Sequence, residues 1–251
     1  MEMEKVTGLG YVRISVPCVE DAVRFYCLGL GLEPIQRGKD AAVIATPDRI
    51  LLCLNGGGVN EGDFSGITHV CYNTFDVDAA FERALEFGAV PSRESDPKPY
   101  TYKNLRMAFV RAPSGEEIEF WGIMRQSGSF GEAMPGNSYV KHFVHVALTV
   151  PDMPESIRFY ESLGAHLKVD WEWGCSMRLA DMRELELFTG GQYSTDPKAY
   201  TSFGFLSGKD HAATEKSRIG PAGEVIEFTG YGAGMNIPER LPDLFAEAPE
   251  V

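Results

Sequence analysis

The chain has 251 residues, and 23 Lys and Arg against 36 Asp and Glu leave a formal net charge of −13, with no basic stripe for nucleic acid or anionic lipid. Apolar residues at 44% and charged residues at 24% describe a globular protein of one or two domains, and no apolar run approaches the ~18 residues of a membrane span. The odd set Cys18, Cys27, Cys53, Cys71 and Cys175 forms no Cys-x-x-Cys pair, and no secretory signal opens the chain, so a cytoplasmic protein acting on a small molecule is expected.

In chain order, Tyr11-Val-Arg-Ile-Ser-Val-Pro17 alternates as a half-buried strand does. Val19 to Tyr26 has helical spacing, and Leu28-Gly-Leu-Gly31 ends it. Gly56-Gly57-Gly58 reads as a flexible connection, not a phosphate loop, because no helix follows. Ile67 to Tyr72 is a strand, and Val77 to Gly88 is a helix with a glycine stop. Leu105 to Val110 and Glu117 to Trp121 form a hairpin around Pro113-Ser-Gly115. A Gly/Ser/Pro-rich linker runs from Gln126 to Ser138. Then His145-Val-Ala-Leu-Thr-Val-Pro151, the helix Met153 to Tyr160 and Leu163-Gly164 repeat the opening. The offset of 134 residues holds without a gap through Tyr26 and Tyr160, which marks a duplication. The last stretch is shorter: a strand over Thr201 to Leu206, a clipped helix from Asp210 to Lys216, Gly220-Pro-Ala-Gly223, and a strand over Val225 to Thr229.

The fold class is therefore α+β, with four βαβββ modules near 7–57, 66–123, 141–190 and 200–230. The first two fill a domain over 1–125 and the last two a domain over 139–232. Residues 126–138 link them, and 233–251 form a solvated tail.

The order strand, Val-Pro, helix, Phe-Tyr, Leu-Gly occurs twice. The hairpin ends Pro113-Ser-Gly-Glu-Glu-Ile-Glu119 and Pro221-Ala-Gly-Glu-Val-Ile-Glu227 look like an Asp-Pro-x-Gly-x-x-x-Glu signature. In these features the chain resembles the vicinal oxygen chelate superfamily: glyoxalase I, methylmalonyl-CoA epimerase, extradiol dioxygenases, and the bleomycin and fosfomycin resistance proteins. The likeness spans Gly8 to Gly230 and is specific for the fold rather than the reaction. It implies two open barrels, each a cup closed by two modules. It also implies a divalent metal held by a His or Gln from each first strand and a Glu from each last strand, with substrate oxygens on the ion.

On that pattern the first-strand positions are Tyr11, His69, His145 and Phe203, and the last-strand positions are Cys53, Glu119, Glu186 and Glu227. The implied ligands are His69, Glu119, His145 and Glu186, with Glu119 and Glu186 also the implied proton carriers. Alternation puts His145, Ala147 and Thr149 on one face, opposite the greasier Val146, Leu148 and Val150. Glu184 points the same way as Glu186 and is the substitute ligand, since aligning the following Phe-Thr-Gly puts Leu187 opposite Glu227. Glu227 reads as a vestige, or as a ligand if modules three and four pair. Fused four-module glyoxalases pair two with three and one with four, which gathers the four donors; neighbour pairing splits them. A head-to-tail dimer is a further route to convergence.

Two neutral imidazoles and two carboxylates neutralise a divalent cation (Zn, Ni, Co, Mn or Fe) and leave positions open. Such an ion polarises a carbonyl or enediolate oxygen, and a carboxylate that leaves it can move a proton. The resemblance thus implies a glyoxalase- or epimerase-like isomerase or lyase acting on a small oxygenated substrate, as monomer or homodimer. An Fe(II) extradiol-type dioxygenase using His69, His145 and Glu119 is the second reading. A metal-free binding or resistance protein, favoured by Tyr11, Cys53 and Phe203, is the third. Arg13, Arg106, Arg178 and Arg183 are candidates for glutathione carboxylates. Cys53 and Cys71 read as small buried residues facing a cup, and His142, His166 and His211 match no motif position. Trp171, Trp173, Tyr100 and Tyr102 either line a pocket or pack.

Overall fold

A computed structural model describes residues 5–58, 66–93, 97–124, 138–189, 199–207 and 217–230. The clipped helix, the tail and nearly all of the linker expected from the sequence lie outside the described residues.

The first module contains β1 (Gly8–Val16), α1 (Val19–Val23) widening into a π-helical stretch over Arg24–Gly29, β2 (Glu33–Arg37), β3 (Ala41–Ala45) and β4 (Leu51–Gly56). The second contains β5 (Ile67–Thr74), α2 (Val77–Glu86), β6 (Val90–Pro91), β7 (Tyr100–Tyr102), β8 (Leu105–Arg111) and β9 (Glu117–Ile123). The third contains β10 (Val140–Thr149), α3 (Met153–Leu163), β11 (His166–Trp171), β12 (Gly174–Arg178) and β13 (Glu184–Phe188). In the fourth are β14 (Tyr200–Ser207), β15 (Ser217–Ile219) and β16 (Val225–Gly230).

Two sheets result, and each draws on both halves of the chain. One runs β15-β16-β14-β1-β4-β3-β2. The other runs β11-β12-β13-β10-β5-β9-β8-β6, with β7 beside β8. Module two therefore shares a sheet with module three, and module one with module four. The seams are antiparallel pairs, β5 with β10 and β1 with β14. Alternation explains why these strands sit centrally. Val12, Ile14 and Val16 on β1, and Val146 and Leu148 on β10, are buried in one core that also takes Phe25, Phe81 and Tyr160 from the helical segments.

Helix ends follow the sequence. Asp76 and Asp152 cap α2 and α3 by accepting the amides of Ala79 and Glu155. A repeated tyrosine then ties the two sheets together. Tyr26 donates its hydroxyl to Glu116 at 2.5 Å, and Tyr160 donates to Glu224. Glu116 and Glu224 occupy the same place in the two Pro-x-Gly-Glu turns. Gly115 at φ 101° and Gly223 at φ 81° supply the left-handed residue each turn needs. Each bond joins a helical segment of one sheet to a hairpin of the other, and both carboxylates are at most 1% exposed.

Candidate metal centre

The β5–β10 seam sets the site. Its register places Ala147 opposite His69 and Cys71 opposite His145. Opposed residues share a face, so all four side chains lie on one side of the sheet. The two small residues leave room for the imidazoles to meet diagonally, with ring centroids 5.4 Å apart. The outer neighbours are parallel strands: Glu119 on β9 stands opposite Cys71, and Glu186 on β13 opposite Ala147. The duplication is thus visible as a pseudo-twofold arrangement in which Glu119 and Glu186 are equivalent. The Leu187 alignment is thereby replaced.

Three donor atoms converge. His69 Nε2 and His145 Nε2 are 3.3 Å apart, and Glu119 Oε2 lies 3.3 Å from the first and 3.2 Å from the second. His69, Glu119 and His145 are 1%, 7% and 5% exposed. Donors ~2.0–2.1 Å from a tetrahedral ion stand about 3.3–3.4 Å from one another, so the triangle fits one divalent cation. All three donors come from one chain, and no second copy is needed to complete the group.

Neighbouring groups select the tautomers. Thr68 Oγ1 donates to the Ala147 carbonyl at 3.2 Å, so at 3.1 Å from His69 Nδ1 it can only accept. With an ion at the centre, His69 would carry its proton on Nδ1 and give the Nε2 lone pair to the metal; without one, Nε2–H faces Glu119 as a donor. His145 Nδ1 faces Glu186 Oε1 at 3.6 Å, an ion-pair contact beyond hydrogen-bond length. Glu186 thus stands beside the triad, on the far nitrogen of His145. Glu184 is fully engaged: Lys168 and Arg178 reach its Oε1 at 2.5 and 2.9 Å, and Ser176 donates to Oε2 at 2.5 Å.

The electrostatics are those of a cation site. Burial holds the His69 imidazole below its ordinary pKa, with Glu119 opposing. Burial acts the same way on His145, but Glu186 and Glu119 outweigh it and the pKa rises. Burial would raise Glu119, yet hydrogen bonds from both histidines hold it far below the usual carboxylate range. Glu186 is pushed up by burial, against the pull of His145. Negative charge is therefore held on Glu119, with His69 kept neutral and His145 favouring its proton. Cys71, fully buried, has its thiol pushed well up by burial and by Glu119, which leaves it protonated and inert.

The opposite cup is built differently. Glu227 pairs with Gly204 across β14–β16, so the position equivalent to His145 is Ser202, and not the Phe203 expected from the sequence. Phe203 points the other way into the core. Arg13 binds Glu227 through two nitrogens at 2.8 and 3.0 Å, while Tyr11 and Ser202 donate to it at 2.5 and 2.8 Å. Cys53 is buried beside them. Burial would raise Glu227, but Arg13 brings its pKa below the ordinary value.

Other residues named from sequence are dispersed. Arg106 pairs with Asp78, and Arg183 with Asp48 and Asp181. His142 and His166 are exposed, and His211 lies outside the described residues. The sequence reading missed Thr68, Phe109 and Phe188 beside the histidines and the Tyr–Glu ties. The repeated Phe-Tyr and Gly-Glu pairs were a usable signal for those ties.

Comparison with known proteins follows the same lines. The model of the Glyoxalase/Bleomycin resistance protein/Dioxygenase superfamily matches residues 8–120 and 142–229. Glyoxalase I from Zea mays is similar in structure, with TM-score 0.64 and 18% identity over 95% of each chain. A Bacillus subtilis protein provisionally named a dioxygenase has TM-score 0.69 and 13% identity, covering 98% of this chain and 92% of its own. No curated protein matches by sequence. No helix among the described residues is long and apolar enough to cross a membrane. With both of its sheets covered by the family model, the chain belongs to the glyoxalase/bleomycin resistance protein/dioxygenase superfamily.

Proposed function

We propose that this chain is a metal-dependent isomerase or lyase of glyoxalase or epimerase type, acting on a small oxygenated substrate. His69, Glu119 and His145 hold a divalent ion (Zn, Ni, Co, Mn or Fe), and Glu186 is the proton carrier, reaching the ion as fourth ligand only by turning from His145 Nδ1. The supporting observation is the contrast between two carboxylates of one strand. Glu184 is saturated by Lys168, Arg178 and Ser176, whereas among the described residues Glu186 meets one imidazole edge, at 3.6 Å. When bound, the ion polarises a substrate carbonyl and eases loss of the proton next to it. Glu186 takes that proton and returns it, on the same carbon or the neighbouring one. Burial of the three donors excludes water from the fixed side of the site. The five free thiols fit a reducing cytoplasm, and either a monomer or a homodimer accommodates the site.

A dioxygenase reading draws on one specific feature. Three donors, two His and one carboxylate, converge, which is the set used by non-haem Fe(II) oxygenases. Metal analysis followed by solvent-deuterium exchange separates the two. We expect one metal equivalent per chain, lost in His145→Ala with the circular dichroism unchanged. Glu186→Gln should keep the metal and slow deuterium entry at an α-hydroxy ketone by about 10²–10⁴-fold. Oxygen uptake with unchanged exchange in Glu186→Gln would replace the isomerase reading, and absence of metal from the wild type would end both.

A further inference from the structure

Two walls of aromatic rings rise from the triad. On the second module, Phe109 meets the His69 ring edge-on at 5.7 Å between centroids, and Tyr100 stacks behind Phe109 at 6.5 Å and 18°. On the third, Phe188 lies 6.4 Å from His69. Trp173 stacks on Phe188 at 5.6 Å and 16°, and Trp171 meets Trp173 edge-on at 5.7 Å. The walls grade from buried to open: Phe109 and Phe188 are 4% and 3% exposed, but Trp173 keeps 42%. An indole left half in water above a buried ring is a surface that gains by covering, and a flat apolar ligand covers it best.

The charges beside these walls exclude another class of ligand. Among the described residues, the cations that reach the cup's glutamates are committed to them: Arg93 to Glu117, and Lys168 and Arg178 to Glu184. Arg93 also lies over the Phe109 ring at 3.3 Å. Of the other arginines considered for glutathione carboxylates, Arg13, Arg106 and Arg183 each end on an Asp or Glu elsewhere. Glu117, Glu119, Glu184 and Glu186 meanwhile crowd the same floor. A ligand carrying free carboxylates meets repulsion and displaced ion pairs there.

We infer that the cup takes a small uncharged aryl compound with two adjacent oxygens, its ring held against Trp173 and Phe188, and not a thiol conjugate bearing free carboxylates. This rests on the metal-site reading, because the oxygen pair is assigned to the ion. The ring and charge arguments stand on the walls alone.

Titration calorimetry and indole fluorescence on the metal-loaded chain test it with three probes. α-Hydroxyacetophenone carries ring and oxygen pair, hydroxyacetone the oxygen pair alone, and S-lactoylglutathione the oxygen pair with carboxylates. The aryl probe should bind about tenfold tighter than hydroxyacetone, and S-lactoylglutathione no tighter than hydroxyacetone. In Trp173→Ala the aryl preference should fall to about twofold or less, with metal content unchanged; Trp173→Leu serves if that variant is poorly folded. Equal binding of the aryl and alkyl probes, tightest binding of S-lactoylglutathione, or full preference in Trp173→Ala overturns the inference. A chain that holds no metal overturns the metal-site reading instead, and an aryl preference in that same ion-free protein would still support the walls.

Discussion

Burial of Glu224, against the pull of its bond from Tyr160, makes stability depend on pH in a direction opposite to most carboxylates. Glu224 is fully buried, and although it accepts from Tyr160 and from the Ala222 amide at 2.8 Å, burial outweighs both bonds. Its pKa is pushed up from the ordinary 4.5 to about 7. Below pH 4.5 both folded and unfolded chains hold the proton, and the group costs nothing. Between 4.5 and 7 the unfolded chain releases the proton while the folded one keeps it, so stability falls as pH rises. Above 7 the loss is complete, on the order of 3 kcal/mol for a shift of this size. Glu224→Gln removes the titration. Its amide oxygen can stay on the Ala222 N–H while its NH2 donates to the Tyr160 hydroxyl, so the pH-independent offset is small. About 2.5 kcal/mol of that is lost between pH 5 and pH 8, so at roughly 2 °C per kcal/mol for a chain of this length, Tm of the wild type minus Tm of the variant should fall by about 5 °C. Differential scanning calorimetry of the two proteins side by side measures that gap, since the histidines titrate alike in both. Parallel Tm curves across that range would show that Glu224 is ionised in the fold throughout, and the burial argument would be wrong.

Two further outcomes are expected. Arg13→Met leaves Glu227 facing only Tyr11 and Ser202, and should lower stability by about 2 kcal/mol, less than for a fully buried pair because Glu227 keeps 23% side-chain exposure. Arg13→Met with Glu227→Gln should recover most of that by denaturant titration, and the metal content should stay unchanged. Thr68→Val frees His69 to place its proton on either nitrogen, so metal affinity measured by competition with a chelator should fall about 10–100-fold while the fold persists.

Much of this molecule was legible because a duplication makes the sequence its own comparison. Strand, helix and turn recur at a fixed offset, so the α+β modules and the glycine stops followed from local chemistry. The face assignments followed too, because alternation alone puts His69 and Glu119 on the side opposite Val70 and Ile118. Three things were not legible. Register across β14–β16 depends on backbone pairing, and a one-residue difference moved the equivalent position from Phe203 to Ser202. The shared sheets depend on which seams close, and local pattern is the same for either pairing. The engagement of Glu184 by Lys168 and Arg178 comes from a neighbouring hairpin, which sequence distance conceals.

The contrast between the cups has a physical logic. A carboxylate on the concave face of a sheet must be neutralised, and the chain does this in two ways. Around Glu119, small residues at 71 and 147 let two imidazoles approach, and the group they form has the size and donor set of a divalent-ion site. Around Glu227 the residue equivalent to Cys71 is Arg13, whose own positive charge lies on the carboxylate through two bonds. Tyr11 stands where the imidazole of His69 would, and its ring lies across Gly204. A Cβ at that glycine would come within 2.1 Å of the ring, so even alanine does not fit. A guanidinium belongs to the chain and brings no open coordination position with it. The first and fourth modules have thus turned the equivalent face into packing, with Val43, Ala45, Leu51 and Cys53 buried around Tyr11. On the proposed reading, chemistry is left to the β5–β10 seam, whose triad is open to an ion from outside the polypeptide.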